Sequence, residues 1–163
     1  MHKTQLFVSG IPGCGKSTFG RWLTQEKQFT HVDMEHDDLD KYGFRSSWNT
    51  FVDGTDGASF VSAIQTHPSS VVLDWGFPPN CVHIVQRLKH VGFKMVWFEG
   101  DRLSARHHFV APVSAFDAQY AAISSHWPEI EPIFGNSVVK AARNDGTLLS
   151  PEAIFKQVFG ENG

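Results

Sequence analysis

The chain has no apolar run approaching the roughly eighteen residues of a membrane-crossing helix, so no spanning segment is expected. Cysteine is scarce. Cys14 and Cys81 stand in no CxxC or Cys/His spacing, which excludes a disulfide framework and a structural zinc site and fits free thiols in a reducing compartment. There is no surplus of positive charge either: the net charge is −3, which excludes a protein that coats duplex DNA and leaves only a short single-stranded end within reach of a few arginines. The first residues, MHKTQLFVSG, lack the long apolar core of a signal peptide, and a cytoplasmic location is expected. Internal repeats and low-complexity tracts are absent.

What is there belongs to a globular protein. Of 163 residues, 41% are hydrophobic and 19% charged, which suits one domain over residues 1–163, expected to be a monomer. Thr4–Ser9 reads as a buried strand, and Ser17–Lys27 follows with helical spacing of Phe19, Trp22 and Leu23. Further strands are expected at Phe29–Met34, Ser70–Leu73, Phe93–Phe98 and Ser137–Ala142. Helices are expected near Ser59–His67 and Asn80–His90, with a last one capped by Ser150 and opened by Pro151. Alternation of this kind predicts an α/β fold with a parallel sheet covered on both faces. The stretch from Asp38 to Ala58, rich in Gly, Asp, Asn and Ser with Trp48 and Phe51 among them, matches no element and reads as a long functional loop.

Between the first strand and the first helix lies GIPGCGKST, which fits G-x-x-x-x-G-K-[ST] without a gap. Its glycines, Gly10, Gly13 and Gly15, let successive backbone N–H groups turn toward phosphate oxygens, and the helix start at Lys16, Ser17 and Thr18 adds a positive dipole end. Lys16 is assigned to the β- and γ-phosphates and the Ser17 hydroxyl to Mg²⁺. Cys14 occupies a variable loop position, where a helix N-terminus can lower a thiol pKa. In VVLDWG, Asp74 ends a wholly apolar strand, the place for a carboxylate that holds Mg²⁺ through water.

In THVDMEHDD, a period of two puts His31, Asp33 and Glu35 on one side, with both acids at the carboxyl end of a parallel strand, where ligands bind. Asp37, Asp38 and Asp40 read as a solvated acidic loop. In EGDRLSARHHF, Arg102 and Arg106 are four apart on a helix and share a face from which they can close over phosphates. His107 and His108 read as solvated.

With these motifs the sequence resembles the small P-loop kinases and AAA-type ATP-binding proteins, most of all the kinase domain of polynucleotide kinase. GIPGCGKST, VVLDWGF, the Arg106 region and APVSAFDAQY carry the resemblance. It implies a three-layer P-loop NTPase fold with a five-stranded parallel sheet flanked by helices, and a small lid. It implies an acid after the second strand that takes the acceptor proton, and counting from Lys16 this falls on Asp33 or Glu35, or on Asp37 if two residues are inserted. The arginine that precedes this base in polynucleotide kinases is missing. The resemblance also places adenine against Arg143–Gly146, and the lack of an NKxD motif favours ATP over GTP.

The expected catalytic set is therefore Lys16, Asp33, Glu35 and Arg106, with Arg106 and Arg143 also meeting the nucleotide and Ser17 and Asp74 the metal. The expected activity is ATP-dependent transfer of a phosphoryl group to a hydroxyl of a small molecule or a nucleic-acid 5′ end. A nucleotide-binding ATPase or regulatory module is the alternative. From Asp33 to Asp56 the acids Asp33, Glu35, Asp37, Asp38, Asp40, Asp53 and Asp56 face only Lys41 and Arg45, a field that favours a neutral or cationic small acceptor, or a short single-stranded end, over a bulky polyanion.

Overall fold

Residues 3–160 are described by the structure, a computed structural model. Five short strands rich in Val, Phe and Leu run parallel: β1 (Gln5–Gly10), β2 (Thr30–Asp33), β3 (Val71–Asp74), β4 (Lys94–Gly100) and β5 (Val138–Ala142). Their order is β2-β3-β1-β4-β5, so β1 is central and its phosphate-loop end has β3 on one side and β4 on the other. All four residues of β3 are buried, the pattern of a strand covered on both faces.

Side chains alternate across the sheet as strand geometry requires. Trp97 and Phe7 pack on Phe134, whereas Phe98, next to Trp97 in sequence, packs on Phe19. Phe134 belongs to α8 (Trp127–Phe134), and Phe19 to α1 (Lys16–Lys27), which also meets α9 (Pro151–Phe159) through Trp22 and Phe155. Ser150 accepts a hydrogen bond from the Ala153 N–H and Pro151 opens α9, as expected for that helix start.

The stretch expected to be a loop is largely helical: α2 (Asp38–Lys41) and α3 (Arg45–Asp53) precede α4 (Ala58–Thr66). The reason lies in the two aromatics. Trp48 and Phe51, one turn apart, stack at 5.6 Å, meet Phe60 of α4 and are 7% and 1% exposed. Burying such a ring is worth about 1.5–3 kcal/mol, enough to override the weak helix preference of the Ser, Asn and Thr between them. Both are core residues, so neither is free to stack on a ligand.

A 3₁₀ turn at Pro79–Cys81 leads into α5 (Val82–His90). After β4, α6 (Arg102–His107) occupies the lid position, and α7 (Val113–Ser125) runs on to α8. No helix among the described residues is long and apolar enough to cross a membrane.

Candidate active site

The carboxyl ends of β1, β2 and β3 converge on a cleft of about 690 Å³, lined by Gly10, Gly13, Gly15, Lys16, Ser17, Thr18, Glu35 and Asp74 among others. Gly15, at φ 84°, is the N-cap of α1, a left-handed conformation that favours glycine and turns the chain from loop to helix. Gly13, at φ 78°, packs its backbone on α6, where a Cβ would lie 2.0 Å from the Ala105 carbonyl oxygen. Lys16 Nζ lies across the loop, donating to the carbonyls of Ile11 at 3.1 Å and Gly10 at 3.4 Å. The cradle is thus closed over by a cation with its remaining donor capacity available to phosphate oxygens.

Cys14 is turned away from the cleft. It is 1% exposed, and burial pushes its thiol up to about 12, the reverse of the lowering expected from the helix start, because desolvation outweighs the nearby Lys16 charge. Only its backbone can serve a phosphate.

Asp74 is 4% exposed and ends β3 in register with Val8 of β1, which sets its carboxylate beside the start of the phosphate loop. Its Oδ2 shares a hydrogen bond with His31 Nε2 at 3.2 Å, the one side-chain bond its carboxylate makes among the described residues. His31 in turn packs on Gly20 of α1, where a Cβ would come within 2.4 Å of the imidazole. No group of three or more His, Cys, Asp or Glu residues forms a metal cage among the described residues. A hydroxyl and a single buried carboxylate facing a phosphate cradle do suit Mg²⁺, which takes few protein ligands and keeps water and phosphate oxygens.

The acids of the second strand separate into different roles. β2 ends at Asp33, so Glu35 reaches the cleft from a turn and the expected period-two alignment of His31, Asp33 and Glu35 does not extend to it. Asp33 holds that turn together: Oδ1 accepts from the Glu35 N–H at 3.0 Å, and Oδ2 meets His36 Nδ1 at 3.1 Å. Asp38 Oδ2 accepts from the Asp33 N–H at 3.0 Å, and Asp40 pairs with Arg45 at 3.0 Å. Of the acids expected to form a solvated loop, Asp37 and Asp40 are exposed, and Asp38 is half-buried against the turn at the start of α2.

Glu35 alone of these acids lines the cleft. Its Oε1 lies against Gly76, where a Cβ would be 2.9 Å away, so the residue after Trp75 is small because the carboxylate passes over it. Glu35 sits at the cleft mouth, yet the protein around it pushes its carboxyl above the usual carboxylate range. Loss of water dominates, Lys16 opposes it, and the negative charges of Asp33 and Asp74 add to it.

The lid arginines are held elsewhere. Arg106 meets Asp117 Oδ2 at 3.2 Å and Arg102 meets Asp117 Oδ1 at 3.0 Å, so one carboxylate of α7 carries both, and neither lines the cleft. Arg106 Nε is buried without a hydrogen-bond partner among the described residues. Arg143 is exposed, with its carbonyl accepting from the Ser104 hydroxyl, and it too lies outside the cleft lining. His108 is exposed, as expected, and also lines the cleft and bonds the Gly146 carbonyl at 3.0 Å, which ties α6 to the loop after β5.

The sequence reading did not single out His31 as the partner of Asp74, nor Gly76 and Gln119 as cleft residues. The placement of His31 on the side of Asp33 was the available signal; its partner lies 43 residues away and is supplied by strand order.

No protein-family model matches the chain, and no curated protein sequence matches it. Solved structures do. A gluconokinase from Sinorhizobium meliloti 1021 is similar over 98% of this chain and 91% of its own, at 14% identity and a TM-score of 0.53. A shikimate kinase from Bacteroides thetaiotaomicron is similar over 95% of this chain and 94% of its own, at 13% identity and a TM-score of 0.58. A shikimate kinase from Acinetobacter baumannii, solved with shikimate, is similar over 95% and 89%, at 12% identity and a TM-score of 0.56. With five parallel strands, helices on both faces and the phosphate loop after the central strand, the chain has the fold of the small P-loop kinases.

Proposed function

We propose that the protein is an ATP-dependent phosphotransferase with a small hydroxyl-bearing acceptor. The observation that carries this reading is that Glu35, a carboxylate of raised pKa, shares one cleft with Lys16, Ser17 and Asp74. A site built only to bind a nucleotide has no need of a second carboxylate opposite the phosphate loop, and an ATPase would set that carboxylate on water, so stimulation of ADP release by an acceptor separates the two.

The backbone N–H groups from Gly13 to Thr18 hold the phosphates, and Lys16 leaves its loop carbonyls to meet the β- and γ-phosphates. Ser17 and Asp74 would hold Mg²⁺, which when bound offsets phosphate charge. His31 keeps the Asp74 carboxylate pointed. Glu35 accepts the proton of the acceptor hydroxyl as its oxygen bonds to the γ-phosphorus and the bond from that phosphorus to the ADP oxygen breaks. Asp33 positions the turn that presents Glu35. Arg106 joins only after leaving Asp117.

A nucleic-acid 5′ end draws no support from the solved structures named above or from the acids around α2. The neighbours are a gluconokinase and shikimate kinases, so gluconate and shikimate, both carboxylates, are the reference acceptors against which other small alcohols are compared. The test is ADP release from ATP and Mg²⁺ with and without acceptors. Stimulation that is lost in Lys16→Ala and in Glu35→Gln supports the reading; ATP binding with no stimulation by any alcohol removes it.

A further inference from the structure

We infer that the acceptor is an uncharged small alcohol with an apolar body, an inference that rests on the phosphotransferase reading and narrows it. Beyond Glu35 the cleft wall is made by Phe77, Pro78, Trp97, Val110, Ile123 and Ile130. Trp97 and Ile130 are each 1% exposed, so this part of the cleft reaches down to the hydrophobic core. Val110, wholly exposed, stands at its rim with nothing packed on it.

The charges are as informative as the wall. Lys16, Glu35 and Asp74 line the cleft together with His108, whose Nε2 is engaged by the Gly146 carbonyl, and no arginine is among the lining residues. Lys16 belongs to the phosphate loop, bonded to the carbonyls of Gly10 and Ile11. Arg102 and Arg106 are bound to Asp117. A carboxylate or phosphate on the acceptor would therefore leave water for an apolar wall whose nearest cations, Lys16 and, once it leaves Asp117, Arg106, serve the transferring phosphates, and it would face the negative charges of Glu35 and Asp74. Both effects oppose binding.

The wall is also fixed. Phe77 stacks on Phe134 at 6.5 Å and meets Trp97 at 6.4 Å, while Trp97 rests on Trp127 at 5.3 Å, so no rearrangement of these rings exposes a hidden cation. The amide-bearing Gln119 of α7 also lines the cleft. Such an amide suits an uncharged hydroxyl or carbonyl on the acceptor. A cationic acceptor would sit next to Glu35 and weaken it as a base.

The test uses matched alcohols with labelled ATP and Mg²⁺: benzyl alcohol and cyclohexylmethanol against their 4-carboxylate and 4-aminomethyl analogues. The neutral members are expected to accept phosphate with a kcat/KM at least about tenfold higher than the charged ones. Val110→Arg, which sets a cation at the rim of the wall from a wholly exposed position, should reverse the order in favour of the carboxylates. Equal or better transfer to the carboxylates or amines by the unmodified protein overturns the inference and leaves the phosphotransferase reading standing. Bound ATP with no transfer to any of these alcohols, nor to gluconate or shikimate, overturns both.

Discussion

His31 Nε2 lies 3.2 Å from Asp74 Oδ2, joining the edge strand β2 to the buried carboxylate at the end of β3. The ring is wedged against Gly20, so α1, β2 and β3 together fix one carboxylate. His31→Phe keeps the ring volume but leaves a buried acceptor unpaired, at an expected cost of about 1–3 kcal/mol in urea unfolding. Mg²⁺ titration of a fluorescent ATP analogue should show a weaker metal dependence, with metal-free ATP binding unchanged. Gly20→Ala should resemble it by displacing the ring. Wild-type metal dependence in His31→Phe would mean that Asp74 needs no such support.

Lys16→Ala should abolish productive ATP binding and leave the circular dichroism spectrum intact, because Nζ bonds loop carbonyls and not the core. Nucleotide titration decides it, and unchanged affinity would remove the phosphate-loop assignment.

Glu35→Gln should lower the rate of transfer by about 10²-fold or more with ATP affinity kept, the usual scale for a lost general base. Since the carboxyl of Glu35 is raised, the base is lost as pH falls through that raised value, and the acid limb of the rate profile should lie above the usual carboxylate range. The stability effect has the opposite sense. A carboxyl raised on folding favours the native state while protonated, and this contribution disappears as pH rises from the unfolded to the folded pKa. Glu35→Gln should therefore melt higher than the wild type at neutral pH and equal it in acid. Asp33→Asn should instead loosen the turn and reduce transfer less.

Asp117→Asn should free Arg106 and raise turnover, since Asp117 competes with phosphate for the guanidinium. Arg106→Ala should lower turnover by about 10²-fold and Arg102→Ala much less. Steady-state kinetics separates the cases: equal, small effects from both arginines would reduce them to a surface ion-pair cluster.

Cys14 should resist alkylation at neutral pH, being 1% exposed with its thiol pushed up to about 12. Cys81 is partly exposed and should be labelled first by iodoacetamide, as mass spectrometry would show. Rapid native labelling of Cys14 would mean that the loop opens.

The phosphate loop and the strands beside it were legible because each is a local pattern: an apolar run, a glycine loop, a helix start. The helix α3 was hidden because its polar residues read as a loop, and only Phe60 and Trp75, distant in sequence, make Trp48 and Phe51 into core. The helix α8 contains Pro132 in its interior, which argues against a helix locally. Glu35 was found as a residue but not as a geometry, since a turn held by Asp33 replaced the strand that spacing implies. The pairing of Arg106 with Asp117 carried no local signal at all.

The register of Val8 with Asp74 also ties the cleft to the order in which the molecule is built. Phosphate loop and metal carboxylate sit on adjacent strands, but everything between Gly10 and Val71 must first be looped out and β2 laid at the edge beyond β3. Closing so long a segment is entropically opposed, so the cleft is complete only once this non-local pairing has formed. On the proposed reading, a nucleotide would act as a latch on the finished sheet, slowing unfolding without speeding refolding.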